Sequence, residues 1–360
     1  VRRQQAPVFS LDRSLLRKDC IASQETLDKE FGPADNVDVN NYLIIGGGGY
    51  IGSHLAFHLA ESGYPVRIMD NFVGSKKENT TALLAPFAKR VQIVEGDVCS
   101  HSDCVAAFKD ITHIIHLAAV NSVEASLDRP AEYMTTNAGG TGTLLNAVLT
   151  ASGIKRVVFG SSCAVYGETP AMSKHEGSLI EPVSPYGCSK LAAETLCRSF
   201  YKLYGVPVVM LRFFNAYGPV EDPKDPVEGV VAHFLSAATK GEPAILHGNG
   251  EQTRDFIYID DCIEACIAAC EASAHIVCGH AFNVGTGQRA SLNEVIEMAE
   301  KLLGRTMVVD RQGLRGGDIR HSRADITKAA GMLKFTARVA FEDGLARVLA
   351  SFSPPMSKAA

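Results

Sequence analysis

The chain has 360 residues, 46% of them hydrophobic and 21% charged, with a formal net charge of −5. This is the balance of a globular protein with ample material for a core, and the negative charge argues against a nucleic-acid partner, which would want a basic face. No run of ~18 apolar residues predicts a membrane span. Ten cysteines scattered through helix-like and strand-like segments predict free thiols in a reducing, cytoplasmic compartment rather than a disulfide framework.

Residues 1–40 read as an N-terminal extension. Arg2, Arg3, Arg13, Arg17 and Lys18 make it basic, a short helix is predicted from about Asp12 to Phe31, and Gly32 to Asn36 is a breaker. Asp12, Asp19 and Glu25 are unusual for a transit peptide, so a surface arm is favoured. Leu43-Ile44-Ile45 then predicts a strand, Gly46 to Gly52 a glycine turn, and Ser53 to Ala60 a helix. In such a turn Gly46 allows the bend, Gly49 lets backbone approach a pyrophosphate, and Gly52 lets helix and strand pack closely. The helix N-terminus offers N–H groups to phosphates. The next strand, Pro65 to Met69, ends at Asp70, 18 residues past Gly52, where a carboxylate can bind the adenine-ribose hydroxyls. Asp70 would repel a 2′-phosphate, so NAD is favoured over NADP.

The alternation continues with a strand over Val91–Val98. It carries Asp97, which either accepts from the adenine amino group or caps the following helix. Ile111–Ala119 is a strand ending in small residues, Ala118 and Ala119, that let backbone lie close to a cofactor. Thr135 to Ser152 is predicted as a helix holding Asn137, and Arg156–Phe159 as a strand leading to Ser162. Strand and helix alternating without hairpin signals predict a Rossmann-type doubly wound parallel sheet. A smaller C-terminal α/β substrate domain is expected to follow. The boundaries expected are 41–212 for the NAD-binding domain, with 256–272 returning to it, and 213–353 for the substrate domain. Gly46 to Gly52, Asp70, Asp97, Ala118 and Ser162 all fall at strand carboxyl ends, where such sheets bind ligands. Tyr186 and Lys190, four residues apart, share one face of the next helix. An ammonium beside a phenol favours its ionised form, so the spacing predicts that Lys190 lowers the Tyr186 pKa and makes it a base. Ser162 adds a hydroxyl donor. Cys262, Cys266 and Cys270 repeat along one helix face. With His275 or Cys278 they could ligate a metal, but the alanines between them favour a packed core and no metal is expected.

These stretches resemble the extended short-chain dehydrogenase/reductase family and, within it, the nucleotide-sugar 4-epimerases. The resemblance covers about residues 41–353. It rests on Gly46 to His54, Asp70-Asn71, Gly96-Asp97-Val98, Ser161 to Gly167, Tyr186 to Lys190 and Arg212 to Asn215. Further matches are Gly248 to Phe256, Phe282 to Gly287 and Arg315 to Ser322. It implies catalysis by Ser162, Tyr186 and Lys190. It implies cofactor contacts from Gly46, Gly49, Tyr50, Ile51, Gly52, Asp70, Asn71, Asp97, Val98, Ala118, Ala119, Asn137, Tyr186 and Lys190. Substrate contacts fall on Ser162, Tyr186, Asn215, Arg254, Arg315, Asp318 and Ser322, with arginines suited to a diphosphate. The implied activity is NAD-dependent 4-epimerisation of a UDP-sugar through a 4-keto intermediate, by a homodimer built on helices near 132–151 and 186–204. Dehydratases and decarboxylases of the family resemble Thr-Asp-Glu and Thr-Ser-Glu where this chain has Ser162-Cys163-Ala164, which favours plain epimerisation. Ser322 stands where epimerases restricted to glucose and galactose resemble Tyr, which predicts room for a 2-acetamido group. The alternatives are a UDP-hexuronate 4-epimerase, a relative that stops at a keto sugar, and a non-catalytic NAD-binding regulator.

Overall fold

The computed structural model describes residues 40–169, 171–219, 229–313, 316–317 and 319–352. The predicted arm before residue 40, with its helix, lies outside the described residues. Six strands follow one another through the first half: β1 (Tyr42–Ile45), β2 (Val66–Asp70), β3 (Val91–Glu95), β4 (His113–His116), β5 (Arg156–Ser162) and β6 (Val208–Phe213). All pair in parallel in the order β3-β2-β1-β4-β5-β6, and a seventh strand, Ala281–Val284, adds in parallel beyond β6. This is the doubly wound order that opens a crevice where its direction reverses, between β1 and β4.

The β1 residues explain why both faces are covered. Successive side chains leave a strand on opposite sides. Tyr42 and Ile44 enter one core with Leu55, Leu59 and Phe234, while Leu43 and Ile45 enter another with Met69, Leu144 and Phe159. The first core runs unbroken into the C-terminal part through Val295, Leu345 and Val348. There three small pairings form: Asn215–Tyr217 with Phe256–Tyr258, Ala244–His247 with Val309–Gln312, and Thr253–Arg254 with Ala290–Ser291. The helix Ile259–Glu271 packs against the helix Tyr50–Glu61 and against β5. Cys262, Cys266 and Cys270 are all buried in its packed face.

One expected helix differs in form. The segment predicted as Thr135–Ser152 is a helical turn over Pro130–Tyr133, a π-helical turn over Met134–Gly139, and an α-helix over Gly140–Val148. The wide turn is held from outside its own helix. Asn137 accepts from the Val120 N–H at 2.8 Å and donates to the Ser189 hydroxyl at 2.9 Å.

Candidate active site

The glycine turn is built as its spacing requires. Gly46 has φ +81°, and a Cβ there would sit 2.3 Å from the Ala118 nitrogen, while one on Gly52 would sit 2.3 Å from the Gly46 carbonyl oxygen. Gly49 differs, since its nearest neighbour would be the Gly46 oxygen at 3.4 Å. It precedes the helix Tyr50–Glu61, and no side chain caps that helix. Tyr50 and Ile51 open its first turn. The N–H groups there, with clear space over Gly49, form a cradle suited to a pyrophosphate.

Asp70 ends β2 and closes over the turn, accepting from the Gly48 N–H and the Phe72 N–H, each at 2.8 Å. Asn71 donates to Asp97 at 3.2 Å, and Asp97 also accepts from the Cys99 N–H at 2.8 Å. The following helix is capped by Ser100, so Asp97 shapes the turn before it. Val98 is buried behind Asp97, and Ala118 and Ala119 lie at the open end of β4. Asn137 has its carbonyl oxygen and its amide engaged with Val120 and Ser189, so it ties the β4 exit to the helix that carries Tyr186 and Lys190.

That helix spans Pro185–Tyr204. Ser184 caps it through the Gly187 N–H, proline stands in its first turn, and Gly205 ends it with φ +71°. Tyr186 therefore faces β5, with the Ser162 side chain beside its phenol. Burial pushes Tyr186 up to about 12 against the lowering effect of the Ser162 hydroxyl. Lys190 donates to the Gly160 carbonyl at 2.8 Å and lies over the Phe159 ring. Burial pulls Lys190 down to about 8. The predicted pull of Lys190 on Tyr186 is thus absent from the protein's own electrostatics. The ammonium is turned toward the strand carbonyl, and desolvation dominates the phenol.

Two of the residues expected to meet substrate, Arg254 and Ser322, are brought together by a strip at 319–325. Thr253 donates its N–H to the Arg320 carbonyl and accepts from the Ser322 N–H, and the Arg320 N–H reaches Glu168. This sets Ser322 beside the Cys163 thiol, with Arg254 close by. Burial keeps that thiol neutral, pushed up to about 11. Asn215 follows β6, and its buried side-chain oxygen has no partner among the described residues, as expected of a group that meets a ligand. Arg315 and Asp318 lie outside the described residues.

Sequence reasoning missed a buried network beneath this site. Glu194 accepts from Ser161 Oγ at 2.6 Å and from Arg212 Nε and Nη2 at 2.8 and 2.7 Å. Arg212 also donates to the Tyr166 hydroxyl, which donates to Asn283. Glu194 lies four residues after Lys190, and that spacing was the available signal.

A model of the NAD dependent epimerase/dehydratase family matches residues 42–285. The chain belongs to that family. A UDP-N-acetyl-alpha-D-glucosaminuronate decarboxylase of Bacillus cytotoxicus is 33% identical over 322 residues, covering 86% of this chain and 97% of the relative. The structure of a UDP-glucuronic acid 4-epimerase from Bacillus cereus, in complex with UDP-glucuronic acid and NAD, superposes with a TM-score of 0.80 at 32% identity. It covers 86% of this chain and 98% of its own. A UDP-N-acetylglucosamine 4-epimerase from Methanobrevibacter ruminantium, in complex with UDP-N-acetylmuramic acid, also superposes at 0.80. It is 33% identical, with 88% and 99% covered. The family's cofactor is NAD, and the open cradle at Gly49 and the carboxylate of Asp70 fit it. No helix of the described residues is long and apolar enough to cross a membrane.

Proposed function

We propose that the protein is an NAD-dependent 4-epimerase of UDP-hexoses that works as a cytoplasmic homodimer. The observation that carries this reading is the meeting of Ser162, Tyr186 and Lys190 at the carboxyl end of β5, beside the glycine cradle. NAD bound there supplies the hydride acceptor for C4, the same hydride on its return, and a positive ring charge that favours the ionised phenol. Tyr186 takes the proton of the sugar 4-hydroxyl and later gives it back. Ser162 hydrogen-bonds that oxygen and steers the proton. Lys190, held on the Gly160 carbonyl, keeps a cation at the floor of the site. The 4-keto sugar turns over between the two transfers, so the chain must hold the nucleotide firmly and the sugar loosely. We assign the nucleotide part to Asn215, Arg254, Arg315 and Asp318.

A neutral thiol and a methyl group at 163 and 164 offer no acid or base for elimination or decarboxylation, which supports return of the hydride to C4. Ser322 leaves room for a 2-acetamido group. The test is product analysis by anomeric proton NMR after incubation with NAD and UDP-glucose, UDP-GlcNAc or UDP-glucuronate. A 4-epimer of UDP-glucose or UDP-GlcNAc supports the reading. A 4-epimer from UDP-glucuronate alone replaces the substrate with a hexuronate, and a dehydrated or decarboxylated product overturns the assignment of Cys163 and Ala164.

A further inference from the structure

Glu194 has no exposed surface, and neither has Arg212, its partner. A buried ion pair gives little stability over an apolar replacement of the same volume, and leaving one member alone is costly. Its presence beneath the catalytic groups therefore asks for an account other than stability. Pairing between β4 and β5 ends at His116 opposite Phe159, so Gly160, Ser161 and Ser162 are held by a neighbouring strand on one side only, through β6. The helix Pro185–Tyr204 adds two further holds. Lys190 donates to the carbonyl of Gly160, and four residues on, Glu194 accepts from the hydroxyl of Ser161. Ser161 is in register with Arg212, and both side chains end on the same carboxylate. Ser161 and Ser162 leave the strand on opposite faces, so pinning the first sets the direction of the second.

Resting on the proposed function, we infer that Glu194 is a positioning residue for the epimerisation. It grips the tip of β5 from the catalytic helix, sets Ser162 against Tyr186, and holds a negative charge one turn from Lys190. The groups facing Lys190 are Cys197 and Glu194 on its own helix, His116 from β4, and, through Glu194, Arg212 from β6 at 2.7 Å and Arg198 one turn on at 3.2 Å. His116 is neutral, since burial pulls it down to about 3. Cys197 and, after it, Glu194 are the groups that raise Lys190 against its burial, and Glu194 is the one of the two held in an ion pair. Loss of the Glu194 charge lets Lys190 give up its proton at lower pH.

Three variants test this. Ser161→Ala removes the grip and buries no charge. Glu194→Gln removes the charge and keeps the shape. Glu194→Leu with Arg212→Met removes both charges and fills the space, which guards against a single variant that does not fold. Folded fraction and bound NAD are measured for each alongside turnover. In Ser161→Ala and in the double variant kcat falls by about tenfold to a hundredfold, the cost of a misplaced reacting group, with KM within about twofold of the parent. In Glu194→Gln the alkaline limb of kcat moves to lower pH by about half a unit or more, while in Ser161→Ala it stays. The inference is overturned if the double variant keeps the parent's kcat, or if lost turnover merely tracks lost folded, NAD-loaded protein. Should the parent turn over no UDP-sugar, it is the functional reading that has failed. Lys190 is then titrated by NMR in protein carrying ¹³C-labelled lysine, assigned with Lys190→Met. A lower midpoint in Glu194→Gln supports the inference, and an unchanged one overturns it.

Discussion

At Tyr186, burial opposes the charge that catalysis needs, and the phenol stands at about 12 in the protein alone. Removing the hydroxyl leaves the ring in place against Tyr133, whose edge it meets with 6.2 Å between centroids. Tyr186→Phe is therefore expected to keep NAD and UDP-sugar bound while turnover falls by about 10²–10⁴, the usual contribution of a proton-transferring group. Calorimetry beside a steady-state assay reads both, and a variant with unimpaired turnover would remove Tyr186 from the chemistry. His116 shows the opposite consequence of burial. Its Nε2 meets the Thr141 hydroxyl at 3.0 Å, Nδ1 has no partner among the described residues, and the ring is held neutral. Its pKa falls from about 6.5 unfolded to about 3 folded, so the unfolded chain binds the extra proton between those values. Stability from this group is complete above the unfolded value and is lost as pH falls toward the folded one. The loss is roughly 2 kcal/mol at about pH 5. Urea unfolding near neutrality and near pH 5 measures it, and His116→Gln is expected to flatten that acid-side slope. An equally steep slope in the variant would place the acid sensitivity elsewhere.

At the scale of the element, two glycines of one turn separate folding from binding. Alanine normally favours a helix over glycine by about 1 kcal/mol, yet Gly52→Ala drives a methyl into the Gly46 carbonyl and is expected to lower Tm. Gly49→Ala meets only one atom at contact distance, so Tm should hold while NAD affinity drops by about tenfold or more, because the methyl fills the pyrophosphate cradle. Thermal melts with and without NAD distinguish the two, and a Gly49→Ala protein that binds NAD normally would discard the cradle. Such elements were legible because their signals are local. Glycine spacing, apolar runs and the carboxylate at the end of β2 all lie within some 25 residues, and β1, β2 and the catalytic helix fall where these place them. What was not legible depends on contacts distant in sequence. The π-helical turn at Asn137 exists through Val120 and Ser189, the seventh strand joins the sheet only beside β6, and Lys190 finds a carbonyl 30 residues earlier. Met134 to Gly139 carries no unusual composition that would announce a widened turn.

At the scale of the molecule, the proposed homodimer would be built on two neighbouring helices. The helices Gly140–Val148 and Pro185–Tyr204 pack on each other. The second of them leaves Cys188, Thr195, Ser199 and Leu203 exposed, with Leu203 at 73%, and Met134 is exposed at the start of the wide turn that leads into the first. Cys188, Thr195 and Ser199 follow one another at helical spacing, so they form one seam. The residues on it are small enough for a second helix pair to approach closely. A charge on the seam and one on the turn leading into the neighbouring helix would desolvate badly there. Met134→Arg with Thr195→Arg is therefore expected to convert a species of twice the chain mass into a single chain, read by light scattering on a sizing column. Neither residue touches Ser162, Tyr186 or Lys190 by any hydrogen bond described above, so NAD should remain bound in the variant. A parent protein that runs as a single chain across the concentration range would set the homodimer aside and leave the site untouched. The cradle, the hydroxyl pair and the Glu194 grip all lie within one chain.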